Sequence, residues 1–386
     1  PTAAPTASEA ATGTSNAPAA SSSRALALCR SVDAGTGVPI GGTMIWHSAA
    51  AHALARQIGV VSSEQELMRW CSAAGQATPP FLLGGGSNLL LTHDIEAPVL
   101  QLALLGKRVI FDEGNTVLVE AMAGERWHAF VQWTLAQGLS GLENLSLIPG
   151  FVGAAPVQNI GAYGVEMAAT CDSVMAIDTA TGEPREFRRA DCQFSYRDSV
   201  FKRPPAGQHA ADEDHRDRFA ITRVRFRLSR RFVAHVDYGE VKAELQAMGV
   251  TAPTAMDVAR AVVAIRSRKL PDPAVQGNAG SFFKNPVVPA AQAAALGERY
   301  PALPQYPADA TGEQVKLAAG WLIEQAGWKG RGITTDSPAA VSERHALVLV
   351  NRGGATGAQL WGLAQAIQFD VADKFGVLLQ PEPRIV

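Results

Sequence analysis

Ser146-Leu147-Ile148-Pro149-Gly150-Phe151-Val152-Gly153-Ala154-Ala155-Pro156-Val157-Gln158-Asn159-Ile160-Gly161-Ala162-Tyr163-Gly164 is the stretch on which the fold turns. It follows neither a helical nor a strand period, yet Leu147, Ile148, Phe151, Val152 and Ile160 make it too apolar for a disordered segment. Long loops inside compact domains are uncommon and usually functional. The stretch therefore reads as an ordered loop wrapped around a ligand, with small residues where the backbone must lie against it. Gln158 and Asn159 can supply amide hydrogen bonds, and Tyr163 an aromatic ring. Earlier in the chain, Phe81-Leu82-Leu83 reads as a buried strand running into Gly84-Gly85-Gly86-Ser87-Asn88 and then a second apolar run, Leu89–Leu91. Consecutive glycines let backbone N–H groups close on a phosphate as an anion-binding nest. The pattern is neither GxxxxGK(S/T) nor GxGxxG, so the P-loop and Rossmann readings lose support. Alone, such a turn is as readily structural as functional.

With 386 residues the chain is too long for one ordinary core, and two or three domains are expected. A hydrophobic fraction of 47% against 18% charged residues is that of a globular protein. The net charge of -2 leaves no basic footprint for nucleic acid, and no apolar run suggests a membrane span. An anionic ligand must then be held by local cations and backbone amides. Cys29, Cys71, Cys171 and Cys192 are scattered without a CxxC pair, which argues for reduced thiols and against a zinc site or disulfide framework. No metal is expected. Residues 1–23 hold only Ala, Thr, Ser, Pro, Gly, Asn and Glu and are expected to form a disordered tail. Ala25–Cys29 is too short for a signal-peptide core, so a cytoplasmic protein is expected.

The rest alternates strands and helices. A βα unit is expected in Trp46–Gly75, with a strand near Ile58–Val61 and a helix whose start is marked by a Ser63/Glu66 capping box. Strands are expected at Val99–Leu104, Arg108–Phe111 and Thr116–Ala121. A helix from near Gly124 follows, with Trp127, Phe130, Val131, Thr134 and Leu135 on one face and Gly138 ending it. Further strands are expected at Ser173–Asp178, Glu186–Arg188 and Arg218–Leu228, with polar Arg203–Asp217 as a surface insertion. Thr254 and Asp257 form another capping-box pattern, before a helix faced by Val258, Ala261, Val262 and Ile265 and stopped by Pro271. Helices are also expected at Gln314–Gln325 and Ala358–Phe375, and strands at Val348–Val350 and Val377–Leu379. The expected divisions are 1–23, 24–95, 96–245, 246–376 and 377–386.

Two more segments carry chemistry. In Phe194-Ser195-Tyr196-Arg197-Asp198-Ser199-Val200-Phe201-Lys202, Arg197 offers a planar fork suited to a carboxylate, although an arginine beside an aspartate is ordinarily a structural pair. Arg266-Ser267-Arg268-Lys269-Leu270-Pro271-Asp272-Pro273 precedes Gly277-Asn278-Ala279-Gly280-Ser281-Phe282-Phe283-Lys284-Asn285-Pro286, the most specific string in the chain. No adjacent His or Asp pattern would activate Ser281 as a nucleophile.

From about Glu64 to Val386, with these motifs in this order, the chain resembles the UDP-N-acetylenolpyruvoylglucosamine reductase family. The resemblance implies an α+β fold: a two-subdomain FAD-binding domain of the PCMH/vanillyl-alcohol-oxidase type, followed by a C-terminal α+β substrate-binding domain. It implies FAD contacts from Gly84, Gly85, Gly86, Ser87 and Asn88, and from Pro149, Gly150, Gly153, Ala154, Gln158, Asn159, Gly161, Ala162, Tyr163 and Gly164. NADPH is the implied reductant and UDP-N-acetylglucosamine enolpyruvate the substrate, giving UDP-N-acetylmuramate for peptidoglycan precursors. Ser281 matches the family's proton donor, Arg197 the arginine that holds the enolpyruvyl carboxylate, and Glu382, in Gln380-Pro381-Glu382-Pro383-Arg384, the catalytic glutamate. Tyr196, Lys269, Asn285 and His345 match substrate contacts. Tyr238, in Val236-Asp237-Tyr238-Gly239-Glu240, marks the type I group, where this element folds over the UDP-sugar as a lid. A monomer is expected. The chain departs from the family at Trp46-His47-Ser48-Ala49-Ala50, where a Thr-Phe-Gly-Ile-like stretch is usual, at Gln380, and in the length of the insertion. Two other readings stay open: another FAD-linked oxidoreductase of this fold, and a non-catalytic flavin or nucleotide-sugar binding protein. The joint presence of Arg197, Ser281 and Glu382 counts against the second.

Overall fold

The computed structural model describes residues 58–73, 80–203 and 217–386, together with Ala55 and two short paired strands, Ser31–Val32 and Pro39–Ile40. The expected tail, the stretch 46–50 and most of the Arg203–Asp217 insertion lie outside the described residues.

Ile58–Val61, Val99–Leu102 and Phe81–Leu83 form a three-stranded parallel sheet with Val99–Leu102 in the middle. Parallel strands are covered on both faces, which is why they appear in sequence as short apolar runs. Helix Glu64–Ala73 begins at the expected capping box: Ser63 Oγ accepts from the Glu66 N–H at 3.2 Å, and the Glu66 carboxylate accepts from the Ser63 N–H at 3.3 Å. Leu67 and Cys71 then pack on Val61, Leu100, Leu102 and Leu104. The division expected after residue 95 falls inside this sheet.

A five-stranded antiparallel sheet follows, ordered Pro184–Arg188, Cys171–Asp178, Phe219–Ser229, Thr116–Met122, Lys107–Glu113. Helix Trp127–Ala136 lies on it, with the Trp127 and Phe130 rings 5.8 and 5.2 Å from that of Phe226. The helix starts later than Gly124 because Gly124 is used for close approach: a Cβ there would stand 2.7 Å from the Leu104 backbone nitrogen. Gly138, at φ 70°, ends it as expected.

Helices Val241–Ala247 and Ala255–Lys269 pack together and lead into a unit with two small antiparallel sheets. One sheet is Asn278–Ser281, Val348–Asn351 and Ala339–Val341; the other is Val287–Pro289, Gln314–Leu317 and Gln305–Pro307. Both surround a core built on helices Ala290–Arg299, Ala319–Gln325 and Gly357–Phe375. The single helix expected over Gln314–Gln325 is thus split. Its first four residues pair with strands on both sides, and only Ala319–Gln325 is helical. Val377–Leu379 is not a strand either. Val377 and Leu379 are buried and Leu378 is 77% exposed, but the Leu379 carbonyl accepts from Gln368 Nε2 at 2.8 Å instead of joining a ladder.

The chain then returns to where it started. Arg384–Ile385 pairs in parallel with Leu89–Leu90, and Phe283 bridges Pro381 in antiparallel register. Among the described residues, no helix is long and apolar enough to cross a membrane.

Candidate active site

The two glycine loops press against each other. A Cβ at Gly85 would lie 3.1 Å from Gly150 Cα, one at Gly150 would lie 2.7 Å from Ser87 Oγ, and one at Gly153 would lie 2.5 Å from Ala123 Cβ. Side chains are excluded so that backbone can face backbone. Among the described residues, the non-glycine residues with positive φ are Leu147, Asn159, Tyr163, Gln193 and Arg197, all on the long loop or on the segment around Arg197. Such conformations are held only where the surroundings over-determine them, and they cluster at functional sites.

Between the loops and the C-terminal unit runs a cavity of about 570 Å³, within the range of small-molecule sites. Gly84 to Asn88 line it, as do Pro149, Gly153, Ala154, Gln158, Gly161, Ala162 and Tyr163, with Trp127, Ile148 and Phe151 as apolar wall. From the other side Arg197, Tyr238, Lys269, Ser281, His345 and Glu382 reach it. Gly150 supports the cradle from behind. Gly164 is packed under Tyr238, whose Cβ would sit 3.1 Å from a Cβ at 164.

Ser281 and Glu382 are neighbours through backbone pairing. The Glu382 N–H donates to the Phe282 carbonyl at 2.8 Å and the Lys284 N–H to the Gln380 carbonyl at 2.9 Å, so the two segments run side by side. Glu382 Oε1 lies 3.2 Å from Arg197 Nε, but off the N–H axis, which makes a charge contact and not a directed hydrogen bond. The same oxygen accepts from Gln158 Nε2 at 3.4 Å, and Gln158 Oε1 accepts from Asn88 Nδ2 at 2.7 Å. Arg197 Nη2 donates to the Gly161 carbonyl at 2.7 Å. The carboxylate, the guanidinium and both glycine loops therefore form one polar network.

Three expected side-chain contacts, Asn159, Asn285 and Tyr196, also stand back from the cavity. Asn159 is fully buried, donates to Glu166 at 2.7 Å and to the Ser195 carbonyl at 3.1 Å, and accepts from the Ala168 N–H; it braces the loop. Asn285 Oδ1 accepts from the Ala319 N–H at 3.0 Å, and its own N–H donates to the Tyr196 hydroxyl at 3.3 Å. Tyr196 lies between two cations, with Arg197 at 5.4 Å and Lys316 at 4.0 Å from its ring centre, and burial pushes its hydroxyl pKa up. Lys269 Nζ is paired with Glu240 at 2.7 Å. His345 Nδ1 accepts from the Leu347 N–H at 3.2 Å; burial first, then the nearby Lys269 and Lys329, lower its pKa.

Arg266 was not singled out by the sequence. It lines the cavity, its Nε is shut off from solvent without a hydrogen-bond partner, and burial lowers its pKa. One signal could have found it: it precedes Lys269 by three residues in the same helix, and residues at that spacing share a face.

A glycine cradle that added Cβ atoms would fill, an apolar wall and an enclosed cation whose Nε has no hydrogen-bond partner suit a long, anionic, flat cofactor. The fold and the cavity define a nucleotide-cofactor site held between two glycine loops beneath a C-terminal unit. Residues 56–188 match the FAD binding domain model, and residues 272–386 match the model of the UDP-N-acetylenolpyruvoylglucosamine reductase C-terminal domain. The chain belongs to the UDP-N-acetylenolpyruvoylglucosamine reductase family. It is 55% identical over 313 residues to the UDP-N-acetylenolpyruvoylglucosamine reductase of Pseudomonas aeruginosa, covering 81% of this chain and 88% of that one. It is 58% identical over 309 residues to the same-named protein of Chromobacterium violaceum, with 80% and 86% covered. A solved UDP-N-acetylenolpyruvylglucosamine reductase from Thermus caldophilus shares the fold at a TM-score of 0.59 and 22% identity, over 90% of this chain and 99% of that one.

Proposed function

We propose that the chain reduces the enolpyruvyl double bond of UDP-N-acetylglucosamine enolpyruvate to give UDP-N-acetylmuramate, with NADPH as reductant. One observation carries this reading. Ser281 and Glu382, far apart in sequence, are held on adjacent segments beside Arg197, in a cavity walled by both glycine loops.

FAD held there would supply the two-electron hydride chemistry that links NADPH to C3 of the substrate. The cradle of Gly84–Asn88 and 149–164 would hold its pyrophosphate, and Arg266 offers a positive charge to an anionic part of it. As C3 is reduced, negative charge builds on C2 and on the carboxylate beside it. Arg197, fixed by Gly161 and Glu382, meets that charge. A preorganised group in such a position is worth roughly 3–4 kcal/mol. Ser281 protonates C2, a step that contributes about 10²–10⁴-fold when the donor is well placed. Lys284, which also lines the cavity, or a water chain would support the alkoxide and resupply the proton. Lys269 would exchange Glu240 for the diphosphate of the UDP-sugar; the existing pair is half-exposed, so little stability is lost in the exchange. Tyr238, 42% exposed with its ring centre 5.7 Å from that of Tyr306, would close over the nucleotide.

We propose that the protein acts as a monomer. Cys71, Cys171 and Cys192 are buried free thiols, which suits a reducing compartment, and we place the reaction in the cytoplasm. The test is to purify the protein, record flavin absorbance, and follow NADPH oxidation with and without the enolpyruvyl substrate. Bound flavin and substrate-dependent oxidation are expected. Absence of both would sink the reading, while rapid reoxidation by O₂ with a small alcohol as donor would favour an oxidase of the same fold.

A further inference from the structure

Asn144 lies outside the cavity, in the short turn Glu143–Leu145, and is 1% exposed. Its Nδ2 donates to two backbone carbonyls on different segments: Tyr163 at 3.0 Å, on the long glycine loop, and His235 at 2.8 Å, on the segment that leads to Tyr238. A side-chain amide nitrogen has two protons. Both are used here to tie one segment to the other.

The surroundings make the clasp consequential. Tyr163, Phe232 and Val236 all pack on the cluster formed by helices Val241–Ala247 and Ala255–Lys269, the second of which carries Arg266 and Lys269. Beyond the clasp, Gly164 lies under Tyr238, and a Cβ at Gly239 would stand 3.8 Å from the Tyr163 ring. The two segments are thus joined twice, by Asn144 at the base and by close backbone approach at the tip.

We propose that Asn144 is a positioning residue: by binding the Tyr163 and His235 carbonyls together it sets where Tyr238 stands over the cavity. It touches neither cofactor nor substrate and acts through Tyr238. The inference rests on the reading of Tyr238 as a contact to the UDP-sugar. Without the amide, the Tyr163 and His235 carbonyls lose the donor that joins them and the base of the Tyr238 segment is released. Part of the binding energy for the UDP-sugar would then go into re-ordering that segment.

The test uses Asn144→Ala and Asn144→Ser, each alone and combined with Tyr238→Ala, on flavin-loaded protein. Asn144→Ala should raise KM for UDP-N-acetylglucosamine enolpyruvate about fivefold or more and leave kcat within about twofold, and in the Tyr238→Ala background it should add less than about twofold. An unchanged KM, an effect additive with Tyr238→Ala, or an equal loss in kcat and in flavin reduction by NADPH would overturn the proposal. If neither Asn144 variant holds flavin, hydrogen exchange on the native holoenzyme decides. The Asn144 side-chain amide protons should exchange slowly with or without UDP-N-acetylmuramate, because both are donated to carbonyls from a buried side chain, and the backbone amides of 237–240 should slow only when it is bound. Fast exchange of the Asn144 side-chain amide would contradict the clasp. If Tyr238→Ala alone leaves KM unchanged, the reading of Tyr238 fails, and the exchange pattern still tests Asn144.

Discussion

His345 and His128 obey the same constraint in different parts of the chain. Each accepts a backbone N–H at Nδ1, His345 from Leu347 at 3.2 Å and His128 from Leu147 at 2.9 Å, so each must be unprotonated there. Burial is the main cause lowering both pKa values from 6.5, helped by Lys269 and Lys329 at one and by Arg266 at the other. With the folded values below the unfolded ones, the unfolded chain holds more protons in the window between them, and stability rises with pH across it. The contribution is complete above about 6.5 and is lost as pH falls toward and through the folded values. Thermal melts should therefore show Tm falling on acidification below 6.5, and His345→Gln should weaken that dependence; a variant with the native slope would contradict the assignment. Residue chemistry also shows what a sequence can and cannot specify. Arg197 reaches the cavity, yet an arginine beside an aspartate reads on its own as a structural pair, and only the family resemblance singled it out. Asn159 and Gln158 are both amides in one glycine-rich loop, yet Gln158 faces the cavity and Asn159 is turned inward, a distinction made by the φ of 46° at Asn159 and by the positions of Glu166 and Ser195.

At the scale of elements, the glycine loops work as a pair, and their function lies in what they exclude. Gly150 has φ 105° and no room for a Cβ beside Ser87. Gly150→Ala should strain the loop by about 1–3 kcal/mol and spread the cradle, giving a folded protein purified with little or no flavin. Flavin content equal to that of the native chain would show that the loop contact is not needed. Elements were readable where local chemistry and tertiary packing agree. Thr254 and Asp257 form the capping box of Ala255–Lys269, and Gly376 at φ 66° ends Gly357–Phe375. They were misread where a short pattern was merged into a neighbouring helix or had no partner. Val315 and Leu317 alternate with Gln314 and Lys316 at strand spacing, and strands on both sides pair with them. Val377 and Leu379 alternate like a strand with no strand beside them.

At the scale of the whole molecule, residues 380–386 close the site. The Arg384 N–H donates to the Asn88 carbonyl at 3.1 Å, the Val386 N–H to Leu90 at 2.9 Å, and Arg384 Nη1 pairs with Asp217 at 2.8 Å. Glu382 is held between this pairing and the Ser281 segment. Removing residues 384–386 should cut substrate turnover by about tenfold or more although Glu382 is still present, because a loosened carboxylate no longer preorganises Arg197. Native turnover in the shortened chain would mean that the Ser281 segment alone positions Glu382. The run Leu89–Leu91 and the segment 377–386 each read as a strand, but no local pattern could have revealed that they meet, because the pairing spans about three quarters of the chain.

Ser281 as the proton donor is the central claim, and separating the two half-reactions of Ser281→Ala tests it most directly. Rapid mixing with NADPH should bleach the flavin at close to the native rate, while its reoxidation by UDP-N-acetylglucosamine enolpyruvate should slow by about 10²-fold or more. An equal loss in both halves, or reoxidation at the native rate, would contradict the account.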